Sequence, residues 1–313
     1  PCTRVVWVPM NLRSCLLLLA AFAQAFAVDW STAPKLPHKV VPGWAQLPAG
    51  WNFGETSGVS VDGRDHVWVF NRGKHPVMEF GKSGQFIQAW EDVPVMSAHG
   101  IKADPEGNIW TVDVAGTAVL KFTPAGRLLM VIANAGRGPG DGDSPYAFNR
   151  PTGIAFQPNG DFLVSDGYVN SRVVSYTREG VFLRKWGSKG TGDGQFDIAH
   201  DVALDKQGRV YVADRTNNRI QVFDLNGKLL AKWTSIGQPW GLAYAAKEDA
   251  LYMADGENNR IVKLNLDGQV LGVLSSFGKT PGKLDFAHHI AVDSDGSLYV
   301  AEIKNWRVQK FAK

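Results

Sequence analysis

One short pattern occurs six times along the chain and limits what the chain can fold into. Each copy has an apolar run, a turn, a second apolar run, a polar loop and a third run. Apolar and polar residues alternate within the runs, as in half-buried β-strands. The copies begin at Ser57, His99, Thr152, His200, Trp240 and His288, at intervals of 40 to 53 residues. A single unit of this kind cannot bury both of its faces, so the copies must pack against one another.

A fourth apolar run follows most copies, which makes four strands per unit. These runs are Phe86–Trp90, Leu128–Ile132, Phe182–Trp186, Leu229–Trp233 and Val270–Leu274. Four antiparallel strands at this period predict the blades of a β-propeller, and six copies predict six blades. A β-helix needs shorter repeats, and repeats of paired helices would show a 3.6-residue period that is absent here.

The last copy ends at Phe311 without a fourth strand. The apolar segment Val40–Leu47 precedes the first copy, and we expect it to complete the last blade and close the ring. The predicted fold is therefore all-β, a six-bladed β-propeller over residues 40–313, with a polar lead-in over residues 28–39.

The first 27 residues predict a secretory signal peptide with an upstream extension. From Met10 the sequence MNLRSCLLLLAAFAQAFA has one basic residue, an apolar stretch and small residues at its end. This pattern is typical of export signals, and the stretch is too short for a spanning helix. We expect a secreted or periplasmic protein that has no membrane partner once the signal is removed.

The balance of charge argues against nucleic acid as a partner. The chain has 33 basic and 30 acidic residues, and removing residues 1–27 takes away two arginines and no acid. The remaining domain is nearly neutral, so it lacks the basic excess that phosphate backbones require. Both cysteines, Cys2 and Cys15, also leave with the signal, and the domain is expected to hold without disulfides.

Residues that recur in every copy are most simply structural. An Asx or Glu closes the second strand of each copy: Asn71, Asp113, Asp166, Asp214, Asp255 and Glu302. Asn-x-Arg elements follow four of them, ending at Arg172, Arg219, Arg260 and Arg307. We interpret the acids as caps of the next turn and the arginines as polar ties between blades.

Histidine opens the first strand in alternate copies only, at His99, His200 and His288. If the first strand is innermost, these positions lie a third of a turn apart around the propeller axis. Three imidazoles that converge on one point, with one side open, are the ligand set of catalytic zinc. Each histidine alone would be better explained as a buried polar residue bonded to backbone. Their shared register in alternate copies favours a metal site.

Two arginines and one tyrosine lie just past the second strands, on the face where the histidines are expected. They are Arg72, Tyr168 and Arg215, and other copies have small or apolar residues there. Arginine suits a carboxylate, which it binds through two parallel hydrogen bonds. A tyrosine beside a metal and two cations would be favoured as phenolate and could act as a general base.

At these residues the sequence resembles the peptidyl-α-hydroxyglycine α-amidating lyases, a branch of the NHL-repeat six-bladed propellers. The matching segments are FNRG at 70–73, AHGI at 98–101, SDGYVNSR at 165–172, AHDVAL at 199–204, VADRTNNRIQVF at 212–223 and AHHIAVDSDG at 287–296. The resemblance implies zinc on His99, His200 and His288, a catalytic Tyr168 and active-site Arg72 and Arg215. It also implies cleavage of a peptidyl-α-hydroxyglycine to a peptide amide and glyoxylate, with arginine holding the substrate carboxylate.

The chain departs from the pattern of this family at two kinds of position. The family has an Asp after the third histidine, where it helps to hold a structural calcium, and this chain has His289. The positions of the other calcium contacts, Val59 and Ile101, which act through their backbone, are retained. The family's disulfide cysteines are missing, with Val169 and Val222 at two of their places.

Two other functions remain as alternatives. One is a non-catalytic NHL-repeat module that binds a protein or peptide across its Gly-rich face. The other is a lactonase-like hydrolase, which would place carboxylate and Asn ligands around calcium. The carboxylates of this chain recur in every copy, so the lactonase ranks last.

Overall fold

The computed structural model of the chain describes residues 28–133 and 142–313. These residues form six four-stranded antiparallel sheets, and the predicted six-bladed β-propeller is confirmed. The predicted signal peptide, residues 1–27, lies outside the described residues. Within the described ranges, no helix has the length and apolar character needed to cross a membrane.

The strands follow one another around the ring in chain order. The first strand, β1, is Lys39–Val41, and blade 1 follows with β2 Thr56–Val61, β3 Val67–Asn71, β4 Val77–Phe80 and β5 Phe86–Trp90. Blade 2 has β6 Ala98–Ala103, β7 Ile109–Asp113, β8 Ala118–Phe122 and β9 Leu128–Ile132. Blade 3 has β10 Gly153–Phe156, β11 Phe162–Asp166, β12 Arg172–Tyr176 and β13 Phe182–Trp186. Blade 4 has β14 Ala199–Leu204, β15 Val210–Asp214, β16 Arg219–Phe223 and β17 Leu229–Thr234. Blade 5 has β18 Pro239–Ala245, β19 Ala250–Asp255, β20 Arg260–Leu264 and β21 Val270–Leu274, and blade 6 has β22 Ala287–Val292, β23 Leu298–Glu302 and β24 Arg307–Ala312.

The N-terminal strand completes blade 6, as predicted. β1 pairs antiparallel with β24, with Lys39 opposite Ala312 and Val41 opposite Lys310. The strand is shorter than the apolar segment suggested, because Pro42 has no amide hydrogen to donate and Gly43 takes a positive φ of 62°. Ahead of β1, Leu36 donates its amide to the carbonyl of Val273 at 2.9 Å. The lead-in thus runs along the outer edge of blade 5.

The hydrophobic core is divided among the interfaces between neighbouring blades. The described residues form six buried clusters, and each combines side chains of two adjacent blades. Between blades 2 and 3, for example, the ring centroids of Trp110 and Phe162 are 4.7 Å apart. The second strand of every blade is fully buried, whereas β13 on the outside alternates between half-buried and exposed. The first strands contact one another around the axis.

The acids that recur in every copy have structural partners. Asp166 accepts a hydrogen bond from the amide of Asn149 at 2.9 Å and pairs with the Arg172 guanidinium at 2.9 Å. Arg172 also donates to the carbonyls of Ser144 and Ala147 in the loop that enters the blade, at 2.9 and 2.8 Å. These ties hold a blade to its own entry loop, and the expectation that they join neighbouring sheets is wrong.

Candidate metal centre and active site

Three histidines meet on the propeller axis. His99, His200 and His288 are each the second residue of an innermost strand, and all three side chains are buried. Their ring centroids are 4.8 Å apart for His99 and His200, 4.6 Å for His99 and His288, and 4.9 Å for His200 and His288. The alternating repeat positions thus become a nearly equilateral triangle of imidazoles.

The same hydrogen bond orients each of the three rings. Nδ1 of each histidine lies against the carbonyl at the equivalent position of the next blade. The distances are 2.7 Å from His99 to Thr152, 2.8 Å from His200 to Trp240 and 2.6 Å from His288 to Ser57. A carbonyl can only accept, so Nδ1 carries the proton and donates it, and the lone pair is left on Nε2. Metal-binding histidines are held by backbone carbonyls in this way.

The surroundings keep these imidazoles neutral. Burial is the main reason that the pKa of each ring lies well below its usual value. Repulsion among the histidines lowers the pKa values further. Only a neutral imidazole can bind a metal ion, so the site is ready to take one at neutral pH. Three neutral nitrogens with matching carbonyl supports fit zinc.

A fourth histidine approaches this centre from one side. Ligand atoms of His99, His288 and His289 lie within 4.8 Å of one another, so proximity alone would select His289 instead of His200. The Nδ1 of His289, however, lies 2.7 Å from the carbonyl of Ser57, which already orients His288. His200 repeats the carbonyl bond of the other two rings. The predicted zinc ligands therefore stay His99, His200 and His288.

Tyr168 stands over the open side of the triangle. Its hydroxyl lies 3.4 Å from Nε2 of His99 and 3.4 Å from Nε2 of His200. Nη1 of Arg215 is also 3.4 Å from this oxygen. The hydroxyl thus faces two imidazole nitrogens and one cation, and a phenolic oxygen in this place could exchange a proton with a molecule bound at the imidazoles.

The two predicted arginines lie at the open side of the histidine triangle, which we call the mouth. They differ in the side chains that they already contact. Arg72 is paired with the Glu55 carboxylate at 2.6 Å and donates from Nε to the carbonyl of Ala98 at 3.2 Å. The Arg215 guanidinium lies 4.4 Å from the ring centre of Trp240, and within the described residues no carboxylate pairs with it. Of the two, Arg215 is free to bind a substrate carboxylate.

Sequence reasoning missed one cation at this mouth. The guanidinium of Arg150 lies 4.9 Å from the ring centre of Tyr168, and the carbonyl of Arg150 accepts the amide of Tyr168 at 3.4 Å. Arg150 ends the loop that enters blade 3 and takes a positive φ of 62°. Arg150 lies two residues before Thr152, where the third copy begins, so the repeated pattern does not include it.

The expected calcium position differs from the family pattern at one side chain. Val59 and Ile101 are buried on the inner strands β2 and β6. At the place where the resemblance implies a carboxylate, His289 offers ring nitrogens, whereas calcium takes oxygen ligands. The buried Asp201 carboxylate lies 3.8 Å from Nε2 of His289, so an oxygen ligand is present beside this position and calcium stays a prediction.

Comparison with known proteins places the chain among NHL-repeat proteins. The NHL repeat family model matches residues 148–176 and 196–223. NHL repeat-containing protein 3 of Homo sapiens is 34% identical over 67% of this chain and 63% of its own length, so less than two thirds of that relative is matched. The Mus musculus protein of the same name is 33% identical over 70% of this chain and 68% of its own length.

A named lyase is similar to the chain to almost the same degree. Peptidyl-alpha-hydroxyglycine alpha-amidating lyase 1 of Drosophila melanogaster is 32% identical over 68% of this chain and 44% of its own length. Among solved structures, a streptogramin B lyase superposes with a TM-score of 0.63 at 15% identity, covering 84% of this chain and 94% of that chain. At that identity the superposition shows the fold alone. The chain belongs to the NHL-repeat family of six-bladed β-propellers that includes NHL repeat-containing protein 3 and the peptidyl-α-hydroxyglycine α-amidating lyases.

Proposed function

We propose that the chain is a zinc-dependent lyase that cleaves the C–N bond of a peptidyl-α-hydroxyglycine or a closely related α-hydroxy acid amide. One observation carries the proposal. Three buried imidazoles with their Nδ1 atoms tied to carbonyls surround one axial point, beside the hydroxyl of Tyr168. The similarity to amidating lyases supports a lyase-type enzyme in general. The zinc and the substrate are our inference.

Each group has a defined task in this proposal. Zinc on the three imidazoles would supply a Lewis acid for the α-hydroxyl of the substrate. Acting as its phenolate, Tyr168 takes the proton of that hydroxyl on its phenolic oxygen, which lies 3.4 Å from Nη1 of Arg215. The hydroxyl oxygen forms the new C=O bond as the C–N bond breaks, and the proton passes to the departing amide nitrogen. The products are an amide and glyoxylate.

The substrate carboxylate binds Arg215 in this proposal. Its guanidinium has no carboxylate partner among the described side chains and lies over the Trp240 ring, 4.4 Å from the ring centre. Planar arginine binds a carboxylate through two parallel hydrogen bonds, which would orient the α-carbon above the imidazoles. Arg72, already paired with Glu55, would support the mouth and position the strand that carries His99.

Apolar side chains on the same face suit the peptide part of the substrate. Met96 is 78% exposed and Phe277 is 66% exposed, and both lie in loops that enter a blade from the face of the histidines. Val169 and Trp306 are exposed in turns of the same face. Exposed apolar side chains on one face are candidates for contacts with a peptide. They also support the second candidate function, a non-catalytic module that binds a peptide or protein. We further propose that the protein is exported, on the strength of residues 10–27.

The release of glyoxylate from α-hydroxyhippuric acid tests the proposal. Tyr168→Phe should lower kcat/KM by about 10²–10⁴-fold, because it removes the group that accepts the proton. Its zinc content should match that of the parent chain. Tyr146→Phe is the matched control, since Tyr146 lies on the outside of blade 3 and donates nothing to the mouth.

Two results would contradict the proposal. The zinc-loaded parent chain could release no glyoxylate from either this compound or a peptidyl-α-hydroxyglycine, which would favour the binding module. Alternatively, Tyr168→Phe could lose its zinc, which would make the tyrosine a support of the metal centre instead of a catalytic residue.

A further inference from the structure

A second set of residues surrounds the mouth, one from each blade. They lie two places before each copy begins, at what we call the rim position: Glu55, Ser97, Arg150, Ile198, Gln238 and Phe286. In five blades the carbonyl of this residue accepts an amide from the turn after the second strand. Glu55 accepts from Arg72 and Ile198 accepts from Arg215, each at 3.0 Å. The repeat thus fixes the backbone of the rim position beside the turns that carry the predicted site residues, while its side chain differs in every blade.

The backbone of Arg150 is held in an unusual conformation. The rim residues of blades 3, 4 and 6, Arg150, Ile198 and Phe286, have positive φ values of 62°, 66° and 64°. This left-handed region is strained for a residue other than glycine, and Pro151 restricts Arg150 further. The amide of Tyr168 donates to the carbonyl of Arg150 at 3.4 Å. From this backbone the guanidinium reaches over the Tyr168 ring, 4.9 Å from the ring centre.

Three of the other rim side chains already contact neighbours in the mouth. Glu55 pairs with Arg72 at 2.6 Å, so the two charges neutralise each other. Gln238 accepts a hydrogen bond from the indole N–H of Trp240 at 2.8 Å. The ring centre of Phe286 lies 4.5 Å from that of Trp240. These side chains build the wall of the mouth and offer a ligand no net charge.

Arg150 is the charged exception at the rim position. It is the one rim residue that is exposed, and no carboxylate of the described residues pairs with it. Asp143, the described acid of the same loop, pairs instead with Lys185 at 2.8 Å. A guanidinium with free donors binds a carboxylate through two parallel hydrogen bonds. The mouth therefore has a second cation, besides Arg215, that is available to an anionic group.

Arg150 and Arg215 contact the same tyrosine. Their guanidinium carbons lie 4.9 and 5.3 Å from the centre of the Tyr168 ring, so the two groups are separated by no more than about twice that distance. Consecutive Cα atoms of a peptide are about 3.8 Å apart, and a glutamate side chain carries its carboxylate several bonds further. A peptide in which glutamate precedes the terminal glycine unit can thus place one carboxylate at each arginine.

We propose that Arg150 determines specificity by binding an acidic side chain on the residue that precedes the α-hydroxyglycine. This inference rests on the proposed function, in which Arg215 binds the terminal carboxylate. Glutamate at that place gains an ion pair with Arg150, whereas glutamine has a similar shape and gains only a weaker hydrogen bond. The chain therefore prefers glutamate to glutamine directly before the terminal unit.

The binding of two peptides to the chain in zinc-containing buffer tests this preference. Acetyl-Glu-Gly and acetyl-Gln-Gly differ by one charge, and both lack the α-hydroxyl, so they bind without being cleaved. By titration calorimetry the parent chain should bind the glutamate peptide about 2- to 5-fold more tightly, the range for an exposed ion pair. Added salt should reduce this ratio. Arg150→Gln should abolish the ratio, and Arg150→Lys should retain part of it.

Arg178→Gln is the matched control. Arg178 belongs to the same blade but lies in the turn between β12 and β13, on the opposite face, where it pairs with Glu106. This variant loses the same charge from the chain and should keep the ratio of the parent.

Four outcomes would overturn the inference. They are no binding of either peptide, equal affinities of the parent for both, a ratio that Arg150→Gln leaves unchanged, and an equal loss of the ratio in Arg178→Gln. Failure of the proposed lyase would appear separately, as a parent chain that binds these peptides but releases no glyoxylate from α-hydroxyhippuric acid. The ratio of affinities does not depend on turnover.

Discussion

Arg72 and Arg215 occupy the same repeat position in blades 1 and 4, and they differ in what they already bind. Arg72 forms an ion pair with Glu55 at 2.6 Å, whereas Arg215 lies against Trp240 and has no carboxylate partner among the described residues. A guanidinium that contacts an aromatic ring and no carboxylate keeps hydrogen-bond donors for a ligand. The difference in pairing gives the two residues different expected roles.

Arg215→Gln should therefore lower kcat/KM for a carboxylate-bearing substrate more than Arg72→Gln does. A hydrogen bond to a charged group contributes about 1.5–3 kcal/mol, so the loss at Arg215 should be about 10- to 100-fold. The measurement is steady-state glyoxylate release by both variants and the parent. A larger loss for Arg72→Gln would move the carboxylate site to blade 1.

From the burial of His38 we predict that the free energy of unfolding depends on pH. This effect does not involve the three axial histidines. Burial holds the pKa of His38 below its usual value of 6.5. As pH falls below about 6.5, the unfolded chain takes up a proton that the folded chain does not, so the free energy of unfolding decreases; above that pH the stability is fully present. The axial histidines act in the same direction. His38→Gln should thus show a smaller decrease between pH 7.5 and 5.5 than the parent, measured by urea unfolding with chelator present, and an equal decrease would contradict the assignment.

Single residues also show where sequence-based prediction stops. The positions of His99, His200 and His288 followed from the repeat, because a residue at one fixed place in each blade must face the axis. The pairing of Arg72 with Glu55 and the contact of Arg150 with Tyr168 did not follow. Both depend on how loops fold over the mouth, and the repeat does not constrain loops. The inward turn of His289 depends on a local shift in strand pairing that the alternation pattern does not contain.

At the scale of elements, the three-residue strand β1 has an effect larger than its length. It supplies the fourth strand of blade 6 and covers the edge of β24, and Val40 packs on the cluster between blades 5 and 6. An uncovered edge strand exposes unpaired backbone groups that can pair with another chain. The short strand therefore serves both ring closure and solubility.

A chain that begins at Gly43 should be less stable than one that begins at Val28. Loss of the β1 hydrogen bonds and of the Val40 contacts should cost about 3 kcal/mol, and the bare edge should cause self-association. Urea unfolding and light scattering are the measurements. Val40→Asp, which keeps the lead-in in place, should destabilise in the same direction. Equal stability of all three chains would mean that β1 does not close the ring.

For the whole molecule, the proposed metal on the axis would join blades that are distant along the chain. His99, His200 and His288 belong to blades 2, 4 and 6. An ion held by all three would link alternate blades, whose hydrophobic core is otherwise divided into six clusters. The described domain has no disulfide to share this task, because both cysteines fall in residues 1–27. Binding that is specific for the folded state stabilises it by mass action.

Removal of metal should accordingly lower the Tm of the parent chain. At a free zinc concentration about 100 times the Kd, the stabilisation is about 2.7 kcal/mol, which should raise Tm by several degrees. Calorimetry with chelator and after return of zinc measures the shift. The Tm of His200→Asn should change much less when zinc is removed or returned. If the Tm of the parent chain changes with neither chelator nor zinc, a metal ion does not join the blades.

Strand β1 also determines when the ring can close during translation. Residues 39–41 pair with residues 310–312, so a chain growing from the ribosome exposes the first partner long before the second one exists. At about 5–20 residues per second, roughly 15–50 seconds of translation separate the two segments. Five blades can stack during that delay, but the ring stays open until residues 310–312 emerge. The nascent chain is thus exposed to chaperones, proteases and its neighbours with an open ring until those residues have been synthesised.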